Sequence, residues 1–317
     1  MVLPNLLDMR LRLAGWGVAV MLLAGCAGPG VKEVTTAPGE LPPSAQVAAV
    51  PFFAQEENYC GPAAVAMTLS WSGLDVSPED IVRNVYTPAR EGTLKFDILG
   101  AARRNGRLAV RIARLRDVLR EIAGGHPVLV FQNLGLEMAP QWHFAVATGY
   151  DLKQNEIILH SGTERDLRMS LNTFAHTWAR GGNWAVTITP PDQLPASAEE
   201  APTLRAAIGL ERAGHASAAA RAYNAILDRW PQSFGASIGL GNARYSLARY
   251  DGAAEAFMRA TALRPDSAAA WNNLAHAMAA LGRREKAVEA AQRAVELGGK
   301  STPTYRATLV EVSAIPQ

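Results

Sequence analysis

Cys60 stands directly before Gly61 and Pro62 and a run of helix formers, in the stretch QEENYCGPAAVAM that runs from Gln55 to Met67. Proline is favoured in the first turn of a helix, where its missing N–H costs no hydrogen bond, so Cys60 marks a helix N-terminus. A sulfur in that position faces unpaired backbone N–H groups and the positive end of the helix dipole, and both favour thiolate. The same N–H groups can hold a developing oxyanion, with the side-chain amide of Gln55 as a second donor. Taken alone, a cysteine in this setting also fits a buried small hydrophobe or half of a disulfide. A nucleophile needs a base, and the chain offers His126, His143, His160, His176, His215 and His276. His143 is distinctive because it opens a long apolar strand, WHFAVATGYD. His126 precedes a proline and reads as a turn residue, and His176 sits in the helical stretch TFAHTW. The last two fall within a repeat region.

The elements that must position these side chains follow from pattern. A helix is expected from Cys60 to about Ser70, a second behind the capping signature SPED (Ser77 to Asp80), a third capped by Thr93 and stopped by Asn105 and Gly106, and a fourth at LRDVLREIAGG. Four short apolar runs bounded by turn residues then read as strands: HPVLVFQN, HFAVATGYD, EIILHSG and NWAVTITP. Helices first and strands later is the order of an α+β domain with helices packed on an antiparallel sheet, here over residues 46–190. PPDQLPASAEEAP supplies a linker over 191–202. Beyond it the strand signals stop, and Trp230-Pro231 and Arg264-Pro265 fall one 34-residue period apart, as do Leu240 and Leu274, Ala253 and Ala287, Ala260 and Ala294, and Tyr223 and Phe257. This spacing resembles the tetratricopeptide repeat and implies an all-α array over 203–301, with a degenerate first repeat. Residues 302–317 form a terminal cap or tail. Such an array implies a groove that holds a protein partner or substrate.

The 317 residues are enough for two domains, and 49% hydrophobic content describes folded protein. A net charge of +2 with scattered basic residues excludes a nucleic-acid-binding surface, and two cysteines with dispersed histidines give no metal-ligand spacing, so no metal and no cofactor are expected. The N-terminus carries Arg10 and Arg12, then an apolar run from Leu13 to Leu23, shorter than the ~20 residues a bilayer crossing needs, which reads as an export signal. Met9 is an alternative start. LAGC, ending at Cys26, resembles the bacterial lipoprotein signal, so residues 1–26 are the signal with its lipobox, and the resemblance implies cleavage before Cys26, which becomes the lipidated mature N-terminus. Residues 27–45, rich in Gly, Pro and Thr, then form a flexible tether, and Ala27 in the position after the lipid points to the periplasmic face of the outer membrane. With Cys26 carrying lipid, Cys60 has no disulfide partner in the chain.

Gln55, then Cys60-Gly61-Pro62, then after a long gap His143 and a strand ending in Gly149-Tyr150-Asp151, resembles the papain-like peptidases that process bacteriocin leaders at double-glycine sites. The resemblance covers about 46–190. It implies a papain-like fold, with Cys60 as nucleophile, His143 as general base and acid, and Gln55 as oxyanion donor. The family places an aspartate after the histidine strand, where this chain reads His160-Ser161-Gly162. Asp151 cannot replace it, because eight residues along one strand put it ~26 Å from His143. A hairpin turning near Gln154 returns Ser161 beside the imidazole instead, so Ser161 is the expected orienting group of a Cys-His pair. The reading is a membrane-anchored cysteine peptidase cutting peptide bonds, with small or glycine residues before the cut. The alternatives are a degenerate peptidase-like binding lipoprotein and a thiol amidase or acyltransferase.

Overall fold

The computed structural model describes residues 28–54, 59–87 and 92–315. Its N-terminal part is an α+β domain around one antiparallel sheet. Helix α1 (Val31–Thr36) and strand β1 (Ser44–Gln46) precede helix α2 (Cys60–Trp71), helix α3 (Pro78–Val85), the hairpin of β2 (Tyr86–Thr87) and β3 (Gly92–Thr93), and helix α4 (Lys95–Arg104). Strand β4 (Leu108–Ile112), helix α5 (Leu115–Ala123), β5 (Val128–Asn133), β6 (Trp142–Asp151), β7 (Glu156–Ser161), β8 (Glu164–Ser170), helix α6 (Leu171–Arg180) and β9 (Trp184–Thr189) complete it. The sheet is seven-stranded, in the order β4-β9-β5-β6-β7-β8, with β1 added alongside β6. The ten-residue β6 is its spine. Its first half pairs with β5, from Trp142 opposite Asn133, and its last residues pair with β1, from Asp151 opposite Ser44.

Local chemistry accounts for most of these elements. Ser77 caps α3, and the reciprocal bonds of a capping box are in place: the Ser77 N–H donates to Asp80 Oδ2, and the Asp80 N–H to Ser77 Oγ. α2 is buried from Gly61 through Leu69, on all sides, and a helix without a polar face must be enclosed in the core. α4 starts one residue later than expected, with Leu94 rather than Thr93 in the cap position. Thr93 is a strand residue opposite Tyr86, and Asp97 accepts the N–H of Leu94 at the helix start.

The tether reading needs correction. Residues 28–46 belong to the domain: Val31 and Val34 of α1 and Leu41 are buried, the N–H of buried Gly28 donates to Asn172 Oδ1, and β1 extends the sheet. Three spaced apolar side chains hold down a segment whose Gly, Pro and Thr content argued for a free chain. Residues 1–27, which include the signal, the lipoprotein motif and Cys26, lie outside the described residues.

The C-terminal part is a stack of antiparallel helix pairs: α7 (Glu200–Arg212) with α8 (Ala216–Arg229), α9 (Phe234–Ser246) with α10 (Tyr250–Leu263), α11 (Ala268–Ala280) with α12 (Arg284–Leu297), and a last helix, α13 (Thr302–Ser313), against the third pair. Close helix approach explains the small residues of the period. A Cβ on Gly239 would come within 2.3 Å of the Tyr223 ring, and one on Gly241 within 2.3 Å of the Phe257 ring, so both positions exclude a side chain. The array does not hang from a loose linker. Leu108 and Val110 of β4 share one buried cluster with Ala206, Ala207 and Leu210, and His215 Nε2 lies 2.8 Å from the carbonyl oxygen of Arg104. Fully buried Glu121 accepts the backbone N–H groups of Ala196 and Ser197, which fixes the linker to α5. The same carboxylate lies 2.8 Å from His126 Nδ1, so that histidine is an anchor of the interior rather than a plain turn residue.

Candidate active site

Cys60 is the first residue of α2, and Tyr59 before it makes no side-chain cap bond, so the N–H groups of the first turn remain available. The backbone N–H groups of Phe144, Gly61 and Cys60 lie close enough to the sulfur to favour its thiolate form. Phe144 follows His143 on β6, so the thiol rests against the residue next to the imidazole. Among the described residues there is no hydrogen bond between the ring and the sulfur. Cys60 is a free thiol and only partly exposed.

Burial decides its charge. It pushes the Cys60 thiol above the ordinary value, against the opposing pull of the three N–H groups. The helix N-terminus therefore does supply the groups expected to favour thiolate, and desolvation outweighs them. His143 is affected by the same enclosure, and burial holds its pKa below the usual histidine value. Burial thus disfavours thiolate and imidazolium alike, and a neutral imidazole is the form that can accept a proton.

His143 Nε2 lies 2.8 Å from Ser161 Oγ. Val146 pairs with His160 across β6 and β7, which places Ser161 diagonally across the hairpin from the ring. The strand irregularity between Leu159 and Ser161 falls at this place, where a bulge re-aims a side chain. Asp151 is at the far end of the strand, where its Oδ1 accepts the N–H groups of Lys153 and Gln154 in the turn. Gln55 lies outside the described residues.

Sequence reasoning missed two neighbours. Gln132 stands directly across from His143 on β5 and is fully buried; its amide donates to Thr177 Oγ1, while its Oε1 has no partner among the described residues. Pairing HPVLVFQN with HFAVATGYD as a hairpin gives that register. Thr93 is the other. Its Oγ1 and Cβ sit 2.3 Å and 2.4 Å from where a Cβ on Gly61 would be, so the glycine after the cysteine is set by contact with the β2–β3 hairpin. Gly61→Ala is expected to lower stability by about 1–3 kcal/mol through overpacking and to displace the first turn of α2. Thermal melts of Gly61→Ala and of the Gly61→Ala, Thr93→Gly pair check this; the pair should recover most of the loss.

Comparison with known proteins agrees with this architecture. Residues 47–186 match the Peptidase_C39 like family, and residues 204–260, 241–282 and 268–297 match tetratricopeptide repeat families. The chain carries a C39-peptidase-like α+β domain followed by tetratricopeptide repeats. Among solved structures, a C39-like peptidase from Bacillus anthracis is 16% identical with a TM-score of 0.41, over 46% of this chain and 97% of that one. The type III secretion translocator chaperone SycD of Yersinia enterocolitica is 16% identical with a TM-score of 0.34, over 35% of this chain and 80% of that one. No curated protein matches the chain.

Proposed function

We propose that the chain is a cysteine peptidase in which Cys60 is the nucleophile and His143 the general base and acid. The observation that carries this reading is the packing of α2, which opens with Cys60, on β6, which opens with Trp142 and His143, with the Phe144 N–H close enough to the sulfur to act on its charge. His143 takes the thiol proton as sulfur attacks the peptide carbonyl. The N–H groups of the first turn of α2, with the Gln55 amide, stabilise the oxyanion. The ring then protonates the leaving amine, and water attacking the thioester releases the acid. Ser161 holds the ring through Nε2, which leaves Nδ1 for the proton.

On this reading the tetratricopeptide groove recruits a protein substrate or partner, and the cleaved bond follows small or glycine residues. Cys26 carries the lipid that keeps the protein at the periplasmic face of the outer membrane; no helix among the described residues is long and apolar enough to cross a bilayer. The test is acyl-enzyme trapping on the full chain with N-acetyl-glycylglycine p-nitrophenyl ester. A p-nitrophenol burst with a matching mass adduct on the Cys60 peptide is expected. A chain that releases no burst and carries no adduct is a peptidase-like binding protein instead.

A further inference from the structure

The connection between β5 and β6 is a formed hairpin that ends at the catalytic strand. The Leu134 N–H donates to the Gln141 carbonyl, the Ala139 N–H to Leu136, and Asn133 Oδ1 accepts the N–H groups of both Gly135 and Gln141. Its apolar side chains nevertheless face solvent: Leu134 is 41% exposed, Leu136 67%, Met138 90% and Trp142 54%. Trp142 stacks on Phe131, whose ring lies under the Lys95 ammonium, so the indole is held in place at the start of β6, one residue before His143. An ordered loop that exposes four large apolar groups in nine residues marks a contact surface.

The neighbouring chemistry identifies what covers it. In acyl transfer the group that deprotonates the nucleophile later protonates the leaving amine, so the leaving-group side of the substrate runs past His143. The residue before His143 is Trp142. We infer that this hairpin, with Trp142 at its base, is the leaving-group subsite of the enzyme and selects substrates with a bulky apolar residue directly after the scissile bond. The inference rests on the peptidase reading and names a specificity which that reading leaves open. A bilayer is the less suited occupant, because residues 133–142 hold no Lys or Arg and carry Glu137 at the tip, which an anionic surface repels.

By microscopic reversibility an added amine occupies the same subsite. Its nitrogen forms the new C–N bond to the Cys60 thioester, the C–S bond electrons return to sulfur, and the proton lost from nitrogen passes through His143 to the thiolate. The experiment uses the full chain acylated with N-acetyl-glycylglycine p-nitrophenyl ester and measures partition between water, glycinamide and leucinamide. Leucinamide is expected to be favoured about tenfold over glycinamide, since one partly buried aliphatic side chain discriminates by about that factor. Trp142→Ala, and separately Leu136→Ser with Met138→Ser, should bring the ratio to about 2 or below. A burst with no preference between the two amines overturns this inference and leaves the peptidase reading standing; no burst overturns both. Flat partition together with flotation on phosphatidylglycerol vesicles, lost in the Leu136→Ser and Met138→Ser variant, assigns the hairpin to a membrane. Flat partition with a sedimentation shift lost in the same variant assigns it to a second copy of the chain. Either result overturns the inference.

Discussion

Cys60→Ala in the full chain should reduce ester and peptide turnover to the uncatalysed rate, and His143→Ala should lower kcat by a factor on the order of 10⁴ or more. The two losses should not add. On the proposed mechanism sulfur and imidazole act as one unit, so once either is gone the other has nothing to do. The size follows from the resting state. A thiol whose pKa burial has raised is almost fully protonated at neutral pH, so little thiolate exists without a base to remove the proton in the transition state. Alkylation gives a second view of the same point. Cys60 should react with iodoacetamide more slowly than a free thiol at pH 7 and gain rate into the alkaline range, because the folded thiol gives up its proton only above the ordinary thiol pKa. Rapid alkylation at pH 6 in the wild-type chain would identify a preformed thiolate and require a different first step. Both variants should keep the wild-type melting temperature within a few degrees, which separates lost chemistry from lost fold.

The parts of this site that were legible in the sequence are those set by local rules. Gly61 and Pro62 place Cys60 at a helix start, and the apolar runs give β5, β6, β7 and β9, while the proline and alanine period gives the helix pairs. Ser161 could be placed beside His143 because a tight hairpin fixes which residues return to face each other; the imidazole nitrogen is 2.8 Å from its hydroxyl. What escaped depends on tertiary context. β8 reads ERDLRMS, a charged segment that pairs only because it is an edge strand next to a formed β7. Residues 28–45 look like linker by composition and are held to the domain by three buried aliphatic side chains. The charge of Cys60 was expected from its helix terminus, yet it is decided by how deeply the rest of the fold encloses the sulfur, which spacing along the chain does not encode. Thr93 against Gly61 is the same kind of fact: a hairpin distant in sequence explains a glycine that reads as part of a helix start.

Ser161 is where this chain differs from the aspartate-bearing pattern, and substitutions there should move both rate and pH dependence. Ser161→Ala removes the hydroxyl on Nε2 and frees the ring to rotate and to place its proton on either nitrogen. The loss of kcat should be about 10- to 100-fold, at the lower end of what a positioned base contributes. Ser161→Asp puts a negative charge at the same place. The wild-type acid limb of kcat/KM is expected below the ordinary histidine value of about 6.5, because burial disfavours the imidazolium and the base must be neutral to act. A carboxylate on Nε2 favours the imidazolium, raises that pKa and moves the limb to higher pH by about 1 to 2 units. It also steadies the cation formed as the thiol proton transfers, so the plateau above the limb should rise relative to Ser161→Ala. A plain packing role for Ser161 predicts something else: similar small losses in both variants and an acid limb that stays where the wild type has it. The pH profile therefore distinguishes an orienting hydroxyl from a residue that merely ends a strand, independently of any change in melting temperature.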